Sequence, residues 1–152
     1  MSEEQRKPLK EIYMENAINW SKRSTCKRKS VGCVAVKDGR IIATGYNGSP
    51  SGAPHCTEIG CEIEIINGRE CCVRTLHAEQ AIISFCAKNG ISLNGTDLYC
   101  TLSPCNNCAK LIINAGIKNV FFLEKYTGLD GSDFLNKMGI NCEIIDLTQT
   151  KE

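Results

Sequence analysis

Two short stretches constrain this chain more than any other: "HAE" at residues 77 to 79 and "PCNNC" at residues 104 to 108. Each stands where the apolar pattern turns helical. "TLHAEQAIISFCAKNG" places Ala78, Ala81, Ile82, Phe85 and Cys86 on one inward stripe and stops at Gly90, while "CNNCAKLIINAG" is a second helix that Gly116 ends. From a first helical turn, Cys105 and Cys108 can both address one ion, and His77 would add a third ligand. Three protein ligands leave a fourth tetrahedral position for water, the arrangement of a catalytic rather than a structural zinc. Glu79 then stands close to that water without having to bind the metal. The fold must therefore bring two helix starts, distant in sequence, to one cavity that side chains and free helix amides can face. Taken singly, "PCNNC" also reads as half of a zinc knuckle, His77 as a cap and Glu79 as a solvated first-turn acid.

The remaining pattern supplies a frame for that convergence. Leu9, Ile12, Tyr13, Ala17, Ile18 and Trp20 recur at mostly helical spacing and predict an amphipathic helix over residues 4–22. Two β-rich runs, 31–36 and 40–46, flank "KDGR", a hairpin signal. Beyond the first motif helix come a strand in "TDLYCTLSP", a strand in "IKNVFFLE", a short helix in "GSDFLNKMG" with Ser132 as its cap, and a last strand in "INCEIIDL". Five strands interleaved with helices predict a mixed sheet covered by helices, a layered α/β domain. The span 1–152 reads as one domain, with no repeat and no linker. Residues 48–73 form a long cysteine-rich insertion, in which "EIEII" fits either a short helix or a strand.

Charge and hydropathy narrow the partners. A formal net charge of +1 offers no large basic field for duplex phosphates, so no nucleic-acid partner is expected. No apolar run is long enough to span a membrane, and "MSEEQRKPLKEIY" has no apolar core of a secretory signal, so the expected location is cytoplasmic. Eleven cysteines in such a compartment point to metal ligation and core packing before disulfides.

HxE followed by PCxxC is the recognised signature of the zinc deaminases that act on nucleobases. More specifically, "GYNGSPSGAPHC", "RTLHAEQAI" and "LYCTLSPCNNCAKLIINAGIKNV" closely resemble the deoxycytidylate (dCMP) deaminase family over residues 20–126, and also the related proteins of bacterial competence operons. The resemblance implies hydrolysis of dCMP to dUMP and ammonia, a cytidine-deaminase-like three-layer α/β/α sandwich with a five-stranded mixed sheet, zinc, and a homo-oligomer, often a hexamer. Were the chain viral, its location would be the host cytoplasm. By matching position, His77, Cys105 and Cys108 hold the catalytic zinc and Glu79 is the proton shuttle. Asn47 contacts the deoxyribose, while the Ala78 amide and the Ser103 carbonyl orient the pyrimidine. Asn47 also fits a turn residue with positive φ. A phosphate dianion needs donors, and Arg23 and Tyr126 are the candidates; a solvated helix-end cation and a packing aromatic are the alternatives. Members of the family are commonly activated by dCTP and inhibited by dTTP, and "GYNGSPSG" matches the loop implicated in that control.

Cys33, Cys86, Cys100 and Cys142 lie in strands or a helix stripe and read as small buried apolar residues. Cys26, Cys56, Cys61, Cys71 and Cys72 remain, with His55 beside them. Four such ligands would form a closed structural zinc site pinning the insertion. Some viral relatives are similar in carrying a second zinc with cysteines matching Cys26 and Cys56. Cys61 and Cys72 complete the preferred set, with His55 and Cys71 as substitutes, because adjacent cysteines tend to point apart. Disulfides within the loop are the alternative. Rival functions are a deaminase of the same fold acting on dCTP, cytidine, tRNA adenosine or a riboflavin precursor, and a non-catalytic accessory protein of the competence type. An unligated acid such as Glu79 beside the ion argues against the last.

Overall fold

The computed structural model describes residues 2–147; Met1 and residues 148–152, the ends of the expected 1–152 domain, lie outside the described residues. A 3₁₀ turn, Glu3–Gln5, precedes α1, Leu9–Ser21. The helix expected over residues 4–22 thus starts later, with Pro8 at its cap, because proline is tolerated at a helix start and not in its interior. There follow β1 (Gly32–Lys37), β2 (Arg40–Tyr46), α2 (Cys56–Ile59), β3 (Ile63–Ile66), β4 (Arg69–Cys72), α3 (Ala78–Asn89), β5 (Asp97–Leu102), α4 (Asn106–Ala115), β6 (Asn119–Glu124), α5 (Ser132–Lys137) and β7 (Asn141–Ile144). No helix among the described residues is long and apolar enough to cross a membrane.

Five strands make one mixed sheet in the order β2-β1-β5-β6-β7. β1 pairs antiparallel with both β2 and β5, whereas β5, β6 and β7 run parallel. The hairpin signal at "KDGR" holds: Asp38 and Gly39 have φ of 52° and 74°, the two positive values that a two-residue turn between right-twisted strands requires. Period-two alternation sends the strands' side chains into two separate cores. Cys33, Ala35, Leu98, Cys100, Val120 and Phe122 face one side, where Ile82 of α3, Ile112 of α4 and Leu135 close over them. Val34, Val36, Tyr99 and Phe121 face the other, against Tyr13, Met14 and Ala17 of α1. Helices on both faces of the sheet give the expected three-layer α/β/α sandwich, and the central strands are apolar on both faces because both are covered.

Several local expectations are corrected. Phe85 is 48% exposed, not inward, because α3 meets β2 along Ala78, Ile82 and Cys86, one narrow line at a spacing of four, and Phe85 falls to its flank. Leu9 is likewise exposed, and Trp20, at the rim of α1, stacks on Tyr46 with centroids 6.2 Å apart. Ser132 is the first residue of α5 and not its cap; its hydroxyl donates to Asp130 Oδ2 at 2.6 Å and its amide to Oδ1 at 3.1 Å. "EIEII" is a strand, paired with β4 through a turn in which Asn67 and Gly68 have φ of 52° and 77°. The dipeptide Asn-Gly, the strongest short hairpin signal, was the available clue.

Candidate active site

α3 and α4 both begin at one end of the sheet. Pro104 ends the path of β5, and Cys105 is the N-cap of α4, its Sγ accepting from the Cys108 amide at 3.5 Å. His77 is the N-cap of α3, and its own amide donates to Gln80 Oε1 at 2.8 Å, which fixes the turn that carries Ala78 and Glu79. α3 can lie this close to the sheet because β2 presents Gly45: a Cβ there would meet the Ala78 carbonyl oxygen at 2.6 Å. The site therefore stands outside the carboxyl end of β5, where the sheet passes from antiparallel to parallel neighbours, the usual place for a ligand in such sheets.

The three metal-ligand candidates converge. His77 Nδ1 lies 3.5 Å from Cys105 Sγ and 3.3 Å from Cys108 Sγ. Tetrahedral zinc with bonds of about 2.0 to 2.3 Å would separate nitrogen and sulfur ligands by about 3.6 Å, so the trio fits a zinc ion. Contact with Cys108 and with His77 lowers the Cys105 thiol to about 4, against the opposing effect of burial, which makes it a thiolate ready for metal. Cys108 is pushed up by the same contact with Cys105 and by burial, and the hydrogen bond to Cys105 raises His77. Glu79 is only 4% exposed, and burial drives its carboxyl above the ordinary carboxylate range. A first-turn acid of this burial is not the solvated residue that the sequence also allowed.

A cavity of about 590 Å³ opens over this cluster. Asn47, Ala78, Ser103 and Tyr126 line it together with His77, Glu79 and Cys105. The Asn47 φ is not positive, which removes the turn-residue alternative; its carboxamide accepts from the Val31 amide at 2.8 Å and donates to the Lys29 carbonyl at 2.7 Å. The Ala78 amide is one of those a helix start leaves without an intrahelical acceptor. Ser103 is buried and its hydroxyl accepts from the Tyr126 amide at 2.7 Å. Arg23 is exposed and outside the lining, whereas Arg28, Lys29 and Arg74 are within it. These three cations were missed in the sequence because "CKRKS" reads as a solvated basic turn and Arg74 as part of a loop; only the folded insertion brings them to one cavity.

A second cluster gathers Cys26, Cys56, Cys61 and Cys72, whose sulfurs all lie within 4.8 Å of one another. The Cys56 and Cys72 sulfurs are 3.7 Å apart, close to the roughly 3.8 Å edge of a sulfur tetrahedron about zinc. Burial opposes ionisation of Cys72, but the Arg74 amide and Cys56 bring it down to about 7, while burial pushes Cys56 up to about 12. His55 stays outside the cluster, its Nδ1 3.2 Å from Thr25 Oγ1, and so does Cys71, which lines the larger cavity together with Cys26 and Cys72. All eleven cysteines are free thiols, so the loop disulfides do not form. Cys33, Cys86, Cys100 and Cys142 are buried in the larger core as expected. The Cys33 and Cys100 sulfurs are 2.9 Å apart, too close to be two corners of one zinc tetrahedron.

With the geometry in place, comparison with known proteins decides the family. A family model described as the cytidine and deoxycytidylate deaminase zinc-binding region matches residues 7–124. The chain belongs to that family. As a family member it is 39% identical over 140 residues to ComE operon protein 2 of Bacillus subtilis, with 91% of this chain and 72% of that protein covered. It is 36% identical over 140 residues to the deoxycytidylate deaminase of Enterobacteria phage T4, covering 70% of this chain and 72% of that one. A crystal structure of dCMP deaminase from the cyanophage S-TIM5, in complex with dCMP and dUMP, aligns with a TM-score of 0.79 and 40% identity over 93% of this chain and 100% of that chain.

Proposed function

We propose that the chain catalyses zinc-dependent hydrolysis of dCMP to dUMP and ammonia. The observation that carries this reading is a buried acid, Glu79, lining a cavity large enough for a mononucleotide beside a His77, Cys105 and Cys108 trio with zinc spacing. His77, Cys105 and Cys108 would hold the metal. When bound, zinc supplies a Lewis acid that brings the pKa of water toward neutrality. The Glu79 carboxylate takes a proton from the attacking water and delivers it to the ring nitrogen; it then takes the remaining proton of the hydroxyl added to the ring carbon and passes it to the departing amine as the carbonyl forms. Burial suits it to this shuttle, since it raises the carboxyl above the ordinary carboxylate range and so lets it hold a proton more readily than a solvated acid would. The Ala78 amide and the Ser103 carbonyl offer a donor and an acceptor to the pyrimidine edge, and Asn47 holds the wall beside the sugar. Lys29 and Arg28, in the same lining as Tyr126, are the residues offered to the phosphate; Lys29 Nζ lies 5.8 Å from the Tyr126 ring.

The same reading takes Cys26, Cys56, Cys61 and Cys72 as a closed structural zinc site, and the protein as a cytoplasmic homo-oligomer, hexameric as in much of its family. Control by dCTP as activator and dTTP as inhibitor is included as the regulatory part of the proposal. Assay of the purified protein with dCMP, dCTP, CMP and deoxycytidine tests the substrate; preference for any but dCMP overturns it. Glu79→Gln should keep zinc and fold yet lose about 10²-fold or more in kcat, and full turnover without the carboxylate would remove the mechanism. An accessory protein without catalysis would turn over none of the four compounds. A dCMP rate curve that is hyperbolic and indifferent to both triphosphates would end the regulatory part alone.

A further inference from the structure

The hairpin of β3 and β4 has no apolar anchor. Residues 62–70 are all exposed, Ile65 at 73%, and among the described residues neither core takes a side chain from between Ala43 and Ala78. A lone two-stranded hairpin is at best marginally stable in water. Its polar ties to the domain are few and wet: Arg28 meets Glu70 at 3.6 Å with both side chains substantially exposed, a pair worth little. Arg69 lies against Gly128, in the loop after β6. Yet Ile66, Asn67, Glu70 and Cys71 of this hairpin form one wall of the catalytic cavity.

What joins the hairpin to the rest is the four-cysteine cluster. Cys72 comes from β4, Cys56 and Cys61 from α2 and the turn after it, and Cys26 from the segment that follows α1. Cys71 and Cys72 both line the cavity, but only Cys72 joins the cluster, its Sγ 3.7 Å from that of Cys56, so the cluster itself borders the cavity that the hairpin walls.

We infer that metal held by Cys26, Cys56, Cys61 and Cys72 controls substrate affinity, by fixing the β3–β4 hairpin as a wall of the nucleotide cavity, and leaves the chemical step at Glu79 unaffected. The inference rests on reading the four cysteines as a metal site. Without the metal the wall is in place only part of the time, and apparent affinity falls in proportion to that fraction.

Cys61→Ser is the test, because Cys61 lies outside the cavity lining. Zinc per chain should fall from two to one, KM for dCMP should rise about tenfold if the wall is formed about a tenth of the time, and kcat should stay close to wild type. Trypsin should cleave faster after Arg69 and Arg74, a readout independent of turnover, and Cys61→His should restore the second zinc and the low KM. Loss of one zinc with unchanged KM and unchanged cleavage overturns the inference while leaving the metal site standing. One zinc per chain in the wild type overturns the four-cysteine reading and the inference with it. Arg69→Ala is the second variant should Cys61→Ser fail to fold: it keeps all four cysteines and frees the hairpin from Gly128, so two zincs with a raised KM and faster cleavage after Arg74 are expected. Unchanged KM and cleavage there show that the hairpin is no substrate wall.

Discussion

Replacing Gly45 by alanine tests whether a bare backbone contact sets the position of the catalytic residues. Gly45 lies in β2 beneath the first turn of α3, and a Cβ there would stand 2.6 Å from the Ala78 carbonyl oxygen and 2.9 Å from Ile82 Cγ1. Ordinary contact begins near 3.5 Å, so the helix start must retreat by roughly 1 Å, and a backbone carbonyl cannot swing aside as a side chain would. Overpacking of this kind costs about 1–3 kcal/mol, which in a chain of this length lowers Tm by about 3 to 10 °C. The same retreat carries Ala78 and Glu79 away from Cys105 and Cys108, and a misplacement near 1 Å can cost about 10²-fold in rate. Steady-state deamination of dCMP, zinc content and thermal melting should be measured together. Gly48→Ala is the control: its Cβ would meet Thr25 Oγ1 and Tyr46 Cε2 at an acceptable 3.4 Å, so both its Tm and its rate should change little. If Gly45→Ala keeps wild-type kcat and Tm, the close approach of α3 to β2 does not position the site.

Four further outcomes are expected. Ile112→Ala, at a residue with no exposed surface between α4 and the sheet, should lower stability by about 2–5 kcal/mol in urea unfolding. Asp130→Ala should weaken the start of α5 by about 1 kcal/mol at pH 7. Burial opposes ionisation of Asp130, but hydrogen bonds from Ser132 and Ser103 hold its pKa below the usual value, so this stability is present above the unfolded carboxylate pKa and is lost as pH falls through the lower folded one. A difference between wild type and Asp130→Ala that does not shrink from pH 7 toward pH 3 would refute it. Chelation should abolish deamination and added zinc restore it, and Cys108→Ser should lack one zinc and all activity; a Cys108→Ser protein with full zinc content would exclude Cys108 as a ligand.

The grouping of His77, Cys105 and Cys108 beside Glu79 was legible because zinc chemistry fixes residue types and short spacings within single turns, as in His77 to Glu79 and Cys105 to Cys108, and helix starts are marked locally. The sandwich was legible for a similar reason: β1, β5 and β6 are short β-rich apolar runs bounded by turn signals, and the helices between them carry their own apolar stripes. Tertiary structure alone decided the rest. Which cations reach the cavity depends on how the turn after α1 and the insertion fold back, so Arg23 falls outside while Arg28, Lys29 and Arg74 line it. Spacing preferred Cys61 and Cys72 and kept His55 and Cys71 as substitutes, but only the fold gathers the sulfurs of Cys26, Cys56, Cys61 and Cys72 at one point. Local spacing is written along the chain; convergence of distant segments is an outcome of packing, and no pattern within a single segment records it.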